Sequence, residues 1–166
     1  MKTAVVYWSG TGNTQMMAES VAEGAKTAGA DVSVFTASEF SAEKLNEFDC
    51  IAFGCPSMGD EQLEEGEFEP MFNSCIPLLC GKKIALFGSY GWGDGAWMRS
   101  WEETCGNNGI VLAAGANMSC YWPTALYAAV LPMIQLKRNL RKWEKYWLNG
   151  IYVRPIVRAD FLRCFA

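Results

Sequence analysis

Through the first 120 residues, short apolar runs alternate with longer stretches of mixed polarity. The runs "AVVYW", "DVSVFT", "CIAFGCP", "KKIALFGSY" and "GIVLAAGA" read as five strands, the third bounded by Pro56. After the first run, Met17, Val21 and Ala25 fall four apart with Glu19 and Glu23 between them. That spacing predicts an amphipathic helix over Met16–Ala28, closed by Gly29. Ala96–Asn107, between the fourth and fifth runs, also has helical composition. Strands that alternate with helices imply a parallel sheet covered on both faces.

Ligands of such sheets bind beyond the carboxyl ends of the strands, where the strand order switches. Three loops of unusual composition leave those ends: Ser9–Thr14, Pro56–Glu65 and Ser89–Trp97. In the first, Gly10 and Gly12 permit tight turns and close approach to a ligand. Ser9, Thr11 and Thr14 supply hydroxyls and Asn13 an amide. The following helix points its free N–H groups and positive dipole end at the same spot. The combination suits a phosphate held by many hydrogen bonds without a neutralising cation, since the loop has no lysine or arginine. Neither GxxxxGK[ST] nor GxGxxG is present, so nucleoside triphosphate and dinucleotide cradles are not indicated. The plainer alternative for this loop alone is a glycine turn at a helix N-cap.

The stretch "VVYWSGTGNTQMMAESV" resembles the signature of the flavodoxins, in their short-chain, clostridial form. The resemblance covers residues 1–120, with all three loops in order. It implies a flavodoxin-like α/β fold: a doubly wound, five-stranded parallel sheet of order 2-1-3-4-5 with helices on both faces. It also implies bound FMN, with Ser9, Gly10, Thr11, Gly12, Asn13 and Thr14 around the phosphate.

The second loop, "GCPSMGDEQLEEGEFEP", matches the family most closely at Met58, Gly59, Asp60 and Glu61, preceded by Pro56 and Ser57. Met58 offers a polarisable thioether to one ring face. By the resemblance, the Gly59 carbonyl turns towards the flavin ring once an electron and a proton have arrived, and Glu61 binds the imide edge. The third loop, "GSYGWGDGAWMRSWEE", places Trp92 between two glycines, and the family's aromatic at this place covers the outer ring face. Ser89, Tyr90, Gly91 and Asp94 are then expected to line the ring with backbone N–H groups. Trp97 and Trp101 lie at helical spacing and are expected in the core.

Charge divides the chain. Residues 1–120 hold 6 Lys+Arg and 16 Asp+Glu, a balance of −10; residues 121–166 hold 8 and 2, a balance of +6. Acids around the second and third loops disfavour an anionic, fully reduced flavin and so lower the potential of the second electron. They also attract basic patches on redox partners. The 166 residues suit one such domain, over 1–120, followed by a divergent basic and aromatic tail, 121–166. Leu126, Met133, Leu140 and Trp147 are spaced by seven in the tail, joined by Ala129, Leu136 and Trp143, with Pro132 as a kink. Lys137, Arg138, Arg141, Lys142 and Lys145 gather off this stripe. Three readings stand: a substitute for the last family helix, a basic segment for an anionic membrane or a partner (the weaker), or an accidental end.

Histidine is absent, which excludes His-based acid–base chemistry, and the seven cysteines form no CxxC pair, which argues against zinc. Free thiols and an opening "MKTAVVYWSG" without signal-peptide character suggest the cytoplasm. The function implied is one-electron transfer at low potential through non-covalently bound FMN between redox proteins, by a monomer that is no enzyme and binds no nucleic acid. The rivals are an FMN-dependent NAD(P)H:quinone reductase on the same fold and a domain that has lost FMN.

Overall fold

The structure is a computed structural model and describes residues 1–113 and the two-residue strand Leu126–Tyr127. In chain order the elements are β1 (Lys2–Tyr7), α1 (Asn13–Thr27), β2 (Asp31–Thr36), β3 (Cys50–Gly54), α2 (Phe68–Cys75), β4 (Lys83–Ser89), α3 (Ala96–Asn107) and β5 (Leu126–Tyr127). Short 3-10 turns at Ala37–Glu39 and Ala42–Glu47 carry the chain from β2 to β3, where no α-helix forms.

The strand order is β2-β1-β3-β4-β5. The first four strands are parallel, with Thr3 beside Val32 and Cys50, and Cys50 beside Lys83. For the first four strands this is the expected order. Of the run expected as the fifth parallel strand, Leu112 bridges Ile84 in the parallel sense, and the Ala113 amide donates to the Ile84 carbonyl at 2.7 Å. The rest of that run, residues 114–116, lies outside the described residues, as does the tail apart from Leu126 and Tyr127; Leu126, expected to begin a helical stripe, stands in a strand instead. The strand that is formed further on, β5, runs antiparallel, pairing Tyr127 with Gly88 and Leu126 with Ser89. Pairing satisfies ladder groups that an open edge would leave to solvent or to another chain.

The two faces of the sheet are packed differently. On one, α1 lays Met17, Ala18, Val21, Ala22 and Ala25 against Val5, Cys50, Ala52, Ala85 and Phe87. The small side chains let helix and sheet approach closely. The other face is aromatic: Phe40, Phe48, Phe53, Phe68, Phe72, Trp97 and Trp101 are all buried there. Phe68 and Phe72 of α2 meet the Trp101 ring of α3 edge-on, each with centroids 5.4 Å apart. Burial of each such ring contributes about 1.5–3 kcal/mol. Trp97 and Trp101 are therefore core residues, as their spacing predicts. Cys50, Cys55, Cys75 and Cys105 are buried and Cys80 is exposed.

Because β1, β3 and β4 run parallel, their carboxyl ends lie along one edge. The loops after Tyr7, Gly54 and Ser89 leave from that edge.

Candidate functional site

The first loop begins with Trp8, whose amide donates to the Gly54 carbonyl at 2.9 Å and so ties it to β3. The Ser9 hydroxyl accepts from the Gly12 amide at 3.0 Å, folding the loop upon itself. Gly12 is the N-cap of α1 and no side chain caps this end. The first N–H groups of the helix are thus directed out of the loop without an internal carboxylate or hydroxyl in their way. Gly10, Thr11 and Asn13 are exposed, whereas Thr14 is buried. The Thr14 hydroxyl lies 3.0 Å from that of Ser89, so first and third loops share a hydrogen bond.

The second loop is a tight reversal. Met58 and Gln62 exchange both backbone hydrogen bonds, each 2.8 Å, across Gly59, Asp60 and Glu61. Gly59 has φ 48°, in the left-handed region that L side chains avoid, and Glu61 enters the same region at φ 56°. Ser57 links this loop to the third by donating its amide to the Ser89 carbonyl at 2.8 Å. Pro56 and Ser57 are half-buried, while Met58, Gly59 and Asp60 are exposed. Behind the turn, a cleft of about 240 Å³ is lined by Met58, Gly59, Gln62, Leu63, Glu64, Glu65 and Gly66.

Two carboxylates of this loop act on helix ends. Glu64 accepts from the amides of Gly66, Glu67 and Phe68 at 2.8–2.9 Å and so caps α2. Burial works against its charge, but the three N–H bonds prevail and hold its pKa below the usual glutamate range. Glu61 reaches further: its Oε1 accepts from Gly95 N at 2.8 Å and Ala96 N at 3.0 Å, at the start of α3. Gly93 lies against the same carboxylate and takes φ 90°, where a side chain would be strained. The resemblance casts Glu61 as a ligand of the flavin's imide edge; the structure gives its carboxylate the capping of α3, which sequence reasoning missed. No short-range signal announces it, because the partners are 34 and 35 positions apart.

In the third loop, Tyr90 packs on Trp97 with centroids 5.1 Å apart. Trp92 is 63% exposed, flanked by exposed Gly91 and Gly93. The Asp94 carboxylate pairs with Arg99 at 2.7 Å, and the Arg99 bond keeps its pKa below the ordinary aspartate value. Sequence reasoning passed over Arg99 as well; the visible signal was a lone cation five residues beyond an aspartate. Under the loops, the Cys55 thiol donates to the Pro56 carbonyl and accepts from the Glu64 amide. Burial pushes its pKa up to about 12, so it stays protonated and serves the loop as a neutral hydrogen-bonding group.

The structure therefore brings all three expected loops to one edge and joins them directly. An open helix N-terminus, hydroxyls and no cation on one side, with an exposed thioether and indole on the others, fit a flat ring bearing a phosphate. Fold and loops define an α/β protein with a candidate mononucleotide site at the carboxyl edge of its sheet.

A family model for flavodoxin matches residues 5–116. The flavodoxin of Clostridium beijerinckii is 50% identical over 108 residues, 65% of this chain and 78% of its own. That of Megasphaera elsdenii is 44% identical over 112 residues, 68% and 82% of the two chains. The solution structure of two-electron reduced Megasphaera elsdenii flavodoxin aligns with a TM-score of 0.64 at 43% identity, covering 67% of this chain and 81% of that one. The chain belongs to the flavodoxin family. It is an FMN-binding electron carrier rather than an enzyme, and the reductase and FMN-free readings are not favoured.

Proposed function

We propose that the three loops hold FMN with its phosphate over the first turn of α1 and its ring between Met58 and Trp92, and that electrons pass singly, at low potential, to proteins docking at the surrounding acidic edge. The observation that carries this reading is the direct bonding of the loops at one edge: Thr14 to Ser89, Ser57 to Ser89, and Glu61 to Gly95 and Ala96.

FMN, when bound, supplies the chemistry of accepting and releasing electrons at its ring. The chain's contribution is position and field. Ser9, Gly10, Thr11, Gly12, Asn13 and Thr14 bind phosphate through N–H and hydroxyl donors. Pro56, Ser57, Met58 and Gly59 present one wall, and Ser89, Tyr90, Gly91 and Trp92 the other. Trp92 is the large exposed side chain that stacking would remove from water. Asp60, Glu61, Glu65 and Asp94 make extra negative charge at the ring unfavourable, which favours electron release. The same acids draw in a basic partner, most effectively at low salt.

The protein acts as a monomer in the cytoplasm on this reading. The thiols of Cys55, Cys75, Cys80 and Cys105 suit a reducing setting, and no helix among the described residues is long and apolar enough to cross a membrane. On this reading the FMN-binding domain spans 1–120 and the divergent basic tail, 121–166, follows it; membrane contact by the tail is the weaker option. Stepwise reduction of the FMN-loaded protein, followed in the visible spectrum, tests the reading. Two resolved one-electron steps are expected. A colourless protein that takes up no added FMN would overturn it.

A further inference from the structure

The loop that carries Trp92 is gripped from two sides. From the second loop, Glu61 binds the amides of Gly95 and Ala96. From one turn into α3, Arg99 Nη2 binds the Asp94 carboxylate at 2.7 Å and Nη1 the Asp94 backbone carbonyl at 2.9 Å. The two grips fall on consecutive residues, Asp94 and Gly95. The indole of Trp92 sits just before them, in a run of glycines that gives the backbone little stiffness of its own. An exposed ion pair ordinarily adds little to global stability. A guanidinium that holds a carboxylate and a main-chain carbonyl together does something else: it fixes a dihedral path.

The charge of Arg99 is unusual in its placement too. Lys2 and Lys83 open their strands at the opposite, amino edge of the sheet. Arg99 stands among the acids of the carboxyl edge, beside Asp94 and near Glu102.

We propose that Arg99 is a positioning residue for electron transfer, which holds the Trp92 loop in its ring-covering conformation by gripping Asp94 at two points and offsets the Asp94 charge beside the ring. This rests on the reading that the third loop covers the flavin. A lysine keeps the charge but not the fork, and a glutamine loses both.

The test uses the full-length chain with Arg99→Gln and Arg99→Lys, first without FMN. Amide hydrogen exchange of residues 91–96 is expected to rise about tenfold in both variants, with the rest of α3 and the melting temperature unchanged. With FMN, release is expected to quicken about three- to tenfold in both. The potential of the second electron should move negative in Arg99→Gln only, by an amount that shrinks as salt is added. Exchange that is unchanged at 91–96 overturns the proposal, whatever FMN does. So does exchange raised throughout α3 with a lowered melting temperature, which would make Arg99 an ordinary structural residue. A wild-type chain that fails to bind FMN removes the parent reading instead, while the exchange result still stands.

Discussion

The hydroxyls of Thr14 and Ser89 meet at 3.0 Å across 75 positions of sequence, one at the start of α1 and the other at the end of β4. This bond joins the first loop, proposed to hold the phosphate, to the loop that carries the indole. Thr14→Val and Ser89→Ala should each weaken FMN far more than riboflavin, which lacks the phosphate. A hydrogen bond to a charged group is worth about 1.5–3 kcal/mol, and the loss should approach that range for Thr14. Dissociation constants for both ligands, measured by flavin fluorescence, check this; equal losses for the two would remove the loop from the phosphate.

Trp92 should separate binding from folding. Its side chain is 63% exposed, so Trp92→Ala is expected to leave the melting temperature of the FMN-free protein unchanged. FMN affinity should nonetheless fall by about 1–3 kcal/mol through lost stacking and burial. Unchanged affinity would mean that the indole does not face the ring.

Much of this was legible from residues alone. Parallel strands are buried on both faces, so β1, β3 and β4 appear as continuous apolar runs, and the loops betray themselves by glycine, hydroxyl and aromatic clusters. α2 did not appear, because Phe68–Cys75 is only eight residues long and contains Pro70. That proline is tolerated in the first turn, where its missing N–H is not needed. The β2–β3 crossover was hidden for a related reason: Ala42–Glu47 is too short for a periodic pattern and forms a 3-10 turn. In the site, composition located the loops but not the bonds between them. Glu61 reads from the sequence as a ligand, and its bonds to Gly95 and Ala96 show only in the structure.

Glu61 should matter to the fold even without FMN. Its carboxylate bonds two amides at the start of α3 and lies against Gly93. Loss of a cap costs about 0.5–2 kcal/mol, so Glu61→Ala should lower the apo-protein's stability by that order. Urea unfolding of wild type and variant without FMN measures it. No change would show that the cap is not used in solution.

Glu64 gives a pH prediction. Its folded pKa lies below the ordinary value of 4.5, the three capping amides outweighing burial. A lowered folded pKa contributes stability above the unfolded value, and that contribution fades as pH falls through the folded one. Wild type should therefore lose stability below about pH 4.5 more steeply than Glu64→Gln, whose cap does not titrate. Melting curves between pH 6 and pH 3 check this, and parallel curves for the two proteins would refute it.

The aromatic layer beneath the sheet has a mechanical consequence. Trp101 is held by Phe68 and Phe72, and it sits on the same rigid helix whose first turn anchors the loop of Trp92. α3 is thus packed into the core at Trp101 and bonded at its start to the loop that carries Trp92. A change of packing at Phe68 therefore reaches the Trp92 loop through α3 without touching that loop directly. The packing of the aromatic interior and the placing of the exposed indole are in this way joined through one helix.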